Sequence, residues 1–433
     1  MTTAGELSRY VYPDPLTQHY FILPLLLLSL VVLPAAAQDA IESETRSARY
    51  AEDFDTFWRF VSEEYAYFDQ KQTDWQRVRS IYRPKATVAT DDRAFLNVLE
   101  RAAGELYDAH AGFGTNNRAS PRLIPSGTDL WAVWQDERAV LTDVRAGSSA
   151  EEAGLRPGTA VLEIDGRPVA ELVQDWMPRT LRNPDPAARD WALRTALAGT
   201  HAGPVRLSVE VDGQSVSIEF TPGVERPDAP LTFDTLDHAI GYIRVNNSLG
   251  DHGLTAAFDS ALAVLRDMRG LILDLRDTPG GGNTTVARGI MSRLVETERP
   301  YQRHELAAEE RAFGVRRVWV EYVVPRGPFT YVQPLVVLVG RWTGSMGEGL
   351  AIGLDGMERA TVAGGPMARL RGAISGRTLP NTGIEARIPT ERLMHVDGSP
   401  RESFAPLVVA APQQPGVDAV LEQAINLLRP NDQ

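Results

Sequence analysis

Cysteine is absent from the 433 residues, and lysine occurs only as Lys71 and Lys85. Without cysteine, a disulfide, a thiolate metal site, a cysteine nucleophile and a lipid anchor on a terminal cysteine are all excluded. A P-loop phosphate site needs a lysine directly after its glycine-rich turn, and no lysine follows residue 85. The chemistry of this chain must therefore come from other side chains.

A basic excess is also missing, since the formal net charge is −13. A surface that binds nucleic-acid phosphates needs such an excess, so we expect no nucleic-acid partner. The seven histidines lack the spacing of metal ligands, and we expect neither a metal nor another cofactor. Hydrophobic residues make up 43% of the chain and charged residues 23%, which indicates a globular protein of two or three domains.

The chain has one long apolar run, Tyr20–Pro34, which is short for a membrane helix of about 20 apolar residues. Small residues follow at Ala35–Ala37 and are typical of a secretory cleavage site, so residues 1–37 are predicted to be a signal peptide. An uncleaved anchor is the alternative, and only then would the protein contact a membrane. Both interpretations predict an exported protein, periplasmic or extracellular.

Three stretches of different pattern follow this leader. Residues 38–119 are predicted to be helical, with Phe54, Phe57 and Val61 at the three-to-four spacing of a buried stripe. Residues 120–223 change to short strands separated by glycine and proline.

Within the second stretch, Ala150–Gly166 has the sequence AEEAGLRPGTAVLEIDG and resembles a PDZ domain. The resemblance implies a β-rich domain over residues 120–223 that binds extended peptide ends by adding a strand to a sheet edge. A generic small β-domain is the alternative.

Residues 224–433 alternate strands with helices. Gly270–Leu275 and Leu335–Val339 are continuously apolar, as the buried strands of a parallel or mixed sheet are. The pattern predicts an α/β catalytic domain whose mixed sheet is flanked by helices, after the helical segment and the β-rich domain.

The strongest site candidate follows the second of these strands. Ser345 stands between Gly344 and Gly347, and a helix is predicted to begin near Glu348. Small neighbours let the backbone turn sharply, and a helix start directs amide N–H groups at an oxyanion. The pattern indicates a nucleophile elbow, although a helix N-cap would show it too.

Three successive glycines, Gly280–Gly282, follow the first strand. They expose backbone N–H groups in a tight turn, which could supply a second oxyanion donor or cradle a phosphate. A structural turn at a sheet edge is the alternative.

Together the two turns resemble the C-terminal processing and tricorn-type serine peptidases. The family's D-L-R-x-x-P-G-G turn is matched by Asp274–Gly281, and its serine–glutamate elbow by Ser345 with Glu348. The resemblance extends from about Asp53 to Leu428 and implies a crotonase/ClpP-like sheet in the catalytic domain.

One branch of that family uses a serine–lysine dyad, with the lysine about 25 residues after the nucleophile. This chain has Leu370 there, between Arg369 and Arg371. Arginine stays protonated and cannot accept the serine proton, so the lysine mechanism is excluded.

The tricorn-like branch uses a histidine instead, and its motif is matched by Glu105–Ala111, ELYDAHA. The resemblance implies that His110 accepts the serine proton and returns it to the leaving amine. A surface or capping role is the alternative for this histidine. The competing histidines are His238, His252 and His395.

A carboxylate after the nucleophile should orient the base in this family. We predict Glu391 for this role, with Glu385 and Glu402 as the other candidates. The resemblance assigns the oxyanion donors to the amides of Met346 and of Gly280 or Gly281.

These residues predict an exported serine endopeptidase that hydrolyses polypeptides or peptides through a Ser-His-Glu triad. The main alternative is a catalytically inactive peptide- or ligand-binding protein on the same scaffold. A crotonase-like acyl-transforming enzyme is a third hypothesis, which the signal peptide disfavours because coenzyme A thioesters are cytoplasmic. The natural substrate and the oligomeric state do not follow from the sequence.

Overall fold

The computed structural model describes residues 35–408 and 418–429, so all but the last three residues of the predicted signal peptide lie outside the described residues. The chain divides into two compact units, residues 1–44 and 45–433. Of the first unit only residues 35–44 are described, and they are helical. In the described part of the chain we find no helix long and apolar enough to cross a membrane.

Helices and strands are numbered in chain order. The helices are α1 (Ala35–Glu64), α2 (Trp75–Thr87), α3 (Asp92–Gly104), α4 (Ser149–Glu152), α5 (Val169–Gln174), α6 (Pro186–Ala198), α7 (Gly253–Val264), α8 (Thr284–Met291), α9 (Ala307–Phe313), α10 (Met346–Gly356) and α11 (Ala419–Leu428). The strands are β1 (Gly112–Phe113), β2 (Leu130–Gln135), β3 (Arg138–Val144), β4 (Ala160–Ile164), β5 (Arg167–Pro168), β6 (Val205–Val211), β7 (Gln214–Phe220), β8 (Leu231–Leu236), β9 (Ile240–Val245), β10 (Gly270–Asp274), β11 (Arg299–Leu306), β12 (Arg317–Val323), β13 (Leu335–Val339), β14 (Thr361–Gly364), β15 (Ala373–Thr378), β16 (Glu385–Met394) and β17 (Leu407–Val408).

The helical front of the chain packs through aromatic and aliphatic side chains. Phe54, Phe57 and Val61 of α1 are buried, as their spacing predicted. They share a core with Phe95 of α3 and with Ile388 of β16. Strand β1, which follows α3, pairs antiparallel with β16. The loop between α3 and β1 is therefore held against a strand from the C-terminal part of the chain.

Strands β2–β7 form a six-stranded sheet in the order β2-β3-β4-β6-β7, with β5 paired to β4. Leu130 of β2, Leu193 of α6 and Leu207 of β6 belong to one buried core. Val161 and Ile164, from the PDZ-like sequence stretch, are buried in the same core. This is the predicted β-rich region, and its assignment as a PDZ domain stays a prediction.

A second six-stranded sheet has the order β17-β14-β13-β10-β9-β8, in which only β8 runs antiparallel to its neighbour. Helices cover both faces. Leu271 and Leu273 of β10 pack in the core that contains Phe258 of α7, whereas Ile272 packs with Ala424 of α11. The arrangement confirms the predicted mixed α/β sheet with flanking helices.

Parallel register brings the two glycine-containing turns together. Asp274 at the end of β10 pairs with Leu338 near the end of β13. Beyond the strands, Thr278 and Thr343 form a further parallel bridge. The chain segments that follow β10 and β13 therefore leave the sheet side by side.

Buried arginine–aspartate contacts join the β2–β7 sheet to the loop after β10. Asp277 Oδ1 lies 3.1 Å from Nε of Arg145, which follows β3, and both side chains are buried. Arg226 and Arg244 approach the same carboxylate at 2.8 and 3.4 Å. Burial opposes ionisation of Asp277, but the arginines hold its pKa below its usual range. The negative charge of Asp277 thus compensates the positive charges of the arginines around it, and without this carboxylate the positive charges would be left unpaired.

Asp277→Asn removes the carboxylate that the three arginines share and leaves buried Arg145 without an ion-pair partner in the described residues, although Asp129 still acts on it at longer range. We expect the free energy of unfolding, measured by urea titration, to fall by about 3–5 kcal/mol, since an uncompensated buried charge is costly. The control Asp175→Asn breaks the exposed pair with Arg167, at 2.6 Å, and should cost less than about 1 kcal/mol. A loss for Asp277→Asn no larger than that of the control would contradict this account.

Candidate active site

Ser345 lies at the sharp turn between β13 and α10. Its backbone angles, φ 53° and ψ −112°, lie in a region that residues other than glycine rarely adopt. Gly281 lies directly against it, because a Cβ atom at Gly281 would come within 2.5 Å of Ser345 Cβ and 2.9 Å of Oγ. The strained turn and the missing side chain opposite leave room for a substrate carbonyl beside the hydroxyl.

Glu348 ties this turn to a second segment. Its Oε2 accepts the Ser345 N–H at 2.9 Å, and the carboxylate also accepts the N–H groups of Arg369 and Leu370 at 2.8 and 3.1 Å. The side chain is fully buried, and burial raises its pKa to about 7. One carboxylate therefore positions both Ser345 and the chain that continues to Arg371.

His110 reaches Ser345 from the loop between α3 and β1. Its Nε2 is 3.1 Å from Ser345 Oγ, and its Nδ1 is 2.6 Å from the carbonyl oxygen of Arg371. Since a carbonyl only accepts hydrogen bonds, the ring proton belongs on Nδ1. This tautomer leaves Nε2 as an acceptor for the serine hydroxyl.

The His110 loop is anchored by Asp108. The His110 N–H donates to Asp108 Oδ1 at 3.0 Å, and the Tyr65 hydroxyl donates to Oδ2 at 2.6 Å. Burial opposes ionisation of Asp108, but Lys71 and Arg371 lower its pKa. An ionised carboxylate thus fixes the backbone at His110.

The imidazole of His110 is neutral at ordinary pH. Burial, followed by the charge of Arg401, lowers the pKa of His110 from 6.5 to about 4. Asp108 opposes this shift without overcoming it. A neutral ring is the form that can accept a proton.

The predicted oxyanion donors differ in their bonding. The Met346 N–H, at the start of α10, has no acceptor among residues 35–408 and 418–429. The Gly280 N–H donates to Oδ1 of Asn247 at 2.8 Å, and the Gly281 N–H makes a long bond to the Thr278 carbonyl at 3.4 Å. Of the three predicted amides, only that of Met346 is free.

Glu391 does not contact His110, and this corrects its assignment as the carboxylate that orients the base. Its Oε2 is 2.9 Å from Nδ1 of a different histidine, His304. Glu391 lies on β16 and His304 on β11, and antiparallel pairing of these strands brings the two side chains together. Sequence order could not distinguish this partner from His110.

The other two candidate carboxylates also differ from each other. Glu385 contacts its neighbour Arg387, with 3.0 Å between Oε2 and Nε. Glu402 has a buried Oε2 with no hydrogen-bond partner in the described structure. Its sequence neighbour Arg401 donates to the carbonyls of Leu370 and Gly372, on either side of Arg371.

The competing histidines do not contact Ser345. His238 lies in a turn before β9 and His252 precedes α7, while His395 pairs with Asp355 and Asp397 at 3.3 and 3.1 Å. In the described ranges, groups of three or more side chains that could hold a metal ion were not found.

Sequence reasoning missed the Arg371 carbonyl, Asp108 and Asn247. A backbone carbonyl leaves no trace in side-chain identity, so no pattern could have indicated the first. Asp108 stands two positions before His110, a spacing at which a carboxylate commonly accepts a backbone N–H, and this signal could have been used.

His304 of β11 is held between two carboxylates, those of Glu391 and Glu321. Its Nε2 lies 3.4 Å from Glu321 Oε2, and the Trp319 ring stacks on it with 4.8 Å between centroids. Burial alone would lower the pKa of His304, but its hydrogen bonds to Glu321 and Glu391 raise it. Its contact in turn lowers the pKa of Glu321 to about 2.

Comparison with known proteins gives two family matches. Residues 239–403 match Peptidase family S41, and residues 46–104 match the Tricorn protease C1 domain. The carboxyl-terminal-processing protease of Synechocystis sp. is 29% identical over 225 residues, covering 51% of this chain and 46% of that protein. Mature CPAF is 16% identical with a TM-score of 0.56, over 84% of this chain and 93% of that chain. The photosystem II D1 C-terminal processing protease is 19% identical with a TM-score of 0.53, and the match covers 88% of this chain and 97% of that chain.

These findings confirm the resemblance to C-terminal processing and tricorn-type serine peptidases, because residues 239–403 and 46–104 match models of these two families and a carboxyl-terminal-processing protease is among the relatives. At these identities the solved structures establish the fold alone. The chain spans about half the length of the curated relatives that it matches.

His304→Gln removes the cation between Glu321 and Glu391. The raised pKa of His304 makes its contribution to stability complete below pH 6.5 and lost as pH rises through the folded value. The lowered pKa of Glu321 makes its contribution complete above pH 4.5 and lost as pH falls towards 2. Between pH 4.5 and pH 6.5 we expect the free energy of unfolding of the variant to be lower than that of the unmodified protein by about 1.5–3 kcal/mol. Outside this pH range the difference in stability should become smaller. Urea titrations from about pH 3 to about pH 9 measure this difference in stability. A difference that does not change with pH would contradict the ion pairs of His304 with the two carboxylates.

Proposed function

We propose that this chain, in which residues 239–403 form a peptidase family S41 domain, is a serine endopeptidase acting on unfolded polypeptides or peptides. In this proposal Ser345 is the nucleophile and His110 the general base. The observation that carries it is the 3.1 Å contact between His110 Nε2 and Ser345 Oγ. A serine hydroxyl is a weak nucleophile unless a neutral base accepts its proton as the new bond forms.

The proposed reaction has two stages. Ser345 Oγ attacks the peptide carbonyl while its proton moves to His110 Nε2, and the imidazolium then donates that proton to the leaving amine as the C–N bond breaks. In the second stage a water molecule gives a proton to Nε2 and attacks the acyl ester, and the imidazolium returns this proton to Ser345 Oγ as the ester bond breaks, which releases the carboxylic acid and restores the serine. The Arg371 carbonyl and ionised Asp108 would stabilise the imidazolium in both stages.

The oxyanion of each tetrahedral intermediate would meet the Met346 N–H. Among the described residues this amide has no hydrogen-bond acceptor, and it stands at the start of α10, where the helix dipole favours negative charge.

We infer that Glu402 is the third member of the triad. Of the three predicted carboxylates it alone has a buried oxygen without a partner in the described structure. Its charge acts on Arg371, whose carbonyl accepts the His110 Nδ1 proton, and on Lys71. Its role would be to stabilise the charged form of the base, because the carbonyl already sets the tautomer.

The remaining parts of the proposal concern the organisation of the chain. A leader over residues 1–37 would export the protein, and a helical segment over 38–119 would carry the base. A PDZ-like domain over 120–223 would capture peptide ends at β2, the terminal strand of its sheet, and residues 224–433 would form the catalytic domain.

Ser345→Ala should abolish labelling by a serine-directed fluorophosphonate and lower kcat on an unfolded protein by at least about 10³-fold. His110→Ala should have a comparable effect, because the hydroxyl then has no proton acceptor. Intact-protein mass spectrometry measures the labelling, and a fluorescent casein assay measures turnover. The control His252→Ala removes an exposed histidine and should change neither. Absence of labelling and turnover in the unmodified protein would favour the inactive binding protein instead.

Glu402→Gln should lower kcat/KM by about 10-fold or more, but by less than the roughly 10⁴-fold loss expected where a carboxylate alone sets the tautomer. The acid limb of its pH profile should move to lower pH, because a charge that favours the imidazolium is removed.

The matched control for this prediction is Glu391→Gln, which removes a carboxylate from His304 rather than from the base. It should leave kcat/KM within about twofold, although its stability changes. A larger loss for Glu391→Gln than for Glu402→Gln would reverse the assignment.

A further inference from the structure

Asn247 lies beside the glycine turn without having been predicted as a site residue. It follows β9, which runs parallel to β10, so it stands at the sheet edge from which the Gly280 turn emerges. Its φ is 55°, a left-handed conformation that asparagine and glycine tolerate better than other residues. The side chain is half-buried.

The Asn247 amide is oriented by a single contact. Its Oδ1 accepts the Gly280 N–H at 2.8 Å. A Cβ atom on Gly280 would come within 3.0 Å of Oδ1 and 3.1 Å of Nδ2, so the amide packs closely against the turn. If Oδ1 and Nδ2 of Asn247 were exchanged, an amide N–H of the side chain would face the Gly280 N–H, and two donors would oppose each other. The oxygen of the amide is therefore assigned to the position next to Gly280.

That orientation leaves Nδ2, with its two N–H bonds, free of any hydrogen-bond partner in residues 35–408 and 418–429. The next residue of the turn, Gly281, faces Ser345, because a Cβ atom built on Gly281 would come within 2.9 Å of Ser345 Oγ and 3.4 Å of the Met346 nitrogen. A free donor is therefore held against the turn that lies opposite Ser345.

We propose that the side chain of Asn247 supplies the second oxyanion donor, Nδ2–H, beside the Met346 N–H. The assignment rests on the proposed peptidase function. The amides of Gly280 and Gly281, which the sequence predicted for this role, already have acceptors. A donor held in place before the reaction stabilises developing charge without having to reorganise.

The same contact could instead serve as a latch that withholds the Gly280 amide from the oxyanion. The two roles predict opposite effects on activity. If Asn247 is an oxyanion donor, loss of its side chain lowers activity. If it is a latch, the loss frees the Gly280 amide and raises activity.

The test uses Asn247→Gly and Asn247→Asp, both of which suit the positive φ. Glycine removes the amide. Aspartate keeps an oxygen to accept the Gly280 N–H but has no N–H donor. For each variant we would measure the rate of fluorophosphonate labelling at Ser345, kcat and KM on a fluorogenic peptide, and the melting temperature.

Both variants should label and turn over about 10²–10³-fold more slowly, with KM within about threefold and melting temperatures close to that of the unmodified protein. Asn247→Asp should be no better than Asn247→Gly, because its negative charge opposes the oxyanion. Full activity in Asn247→Asp would show that the side chain only anchors the turn. Higher activity in Asn247→Gly would establish the latch. Either result overturns the proposal.

The control Asn183→Asp adds the same charge on the exposed loop before α6 and should leave all rates unchanged. The failure of the two proposals can be told apart. If the unmodified protein shows no Ser345-dependent labelling, the peptidase function fails and this assignment falls with it. If labelling occurs and Asn247→Gly is labelled equally fast, only the oxyanion assignment fails.

Discussion

The buried carboxylate of Glu348 is the constraint on which the geometry of the site depends. It accepts three backbone N–H groups, one from the serine turn and two from the segment that precedes Arg371. That segment then offers the Arg371 carbonyl to His110. Because one side chain holds both pieces of backbone, the position of Ser345 and the orientation of His110 are set together. Pairing of β1 with β16 and the Asp108 contact hold the histidine loop from the other side.

Charges near the site are compensated by particular partners rather than by solvent. Arginines surround Asp277 at the junction with the β2–β7 sheet, and Lys71 with Arg371 compensates Asp108 beneath the histidine loop. The positive surroundings and the burial of His110 keep its imidazole neutral, which suits a base. Glu402 differs in one respect, since its Oε2 is buried without a hydrogen-bond partner in the described structure, although its charge acts on Arg371 and Lys71. A buried polar atom left unpaired calls for an explanation, and a functional role is one.

Much of the fold could be predicted from the sequence. Continuous apolar runs indicated β10 and β13, three-to-four spacing indicated the buried face of α1, and the parallel pairing of the strands follows from their burial on both faces. Ser345 and His110 were predicted from motifs and lie together in the structure, while their roles stay predictions. Glu391 was placed wrongly because three glutamates follow the nucleophile and linear order does not rank them. Its partner was decided by the pairing of β16 with β11.

The sequence by itself limited which chemistry was possible: without cysteine there is no thiol nucleophile, and without lysine after residue 85 the serine–lysine dyad of one family branch is excluded. It also determined the elements, because hydrophobic periodicity and glycine turns act over a few residues. Only the tertiary structure decided which groups meet. The Arg371 carbonyl at His110, the Asn247 amide at Gly280 and the buried Glu402 oxygen without a hydrogen-bond partner in the described residues all depend on how distant segments pack. Strand register and burial in three dimensions set such contacts. Local sequence patterns determine neither of them.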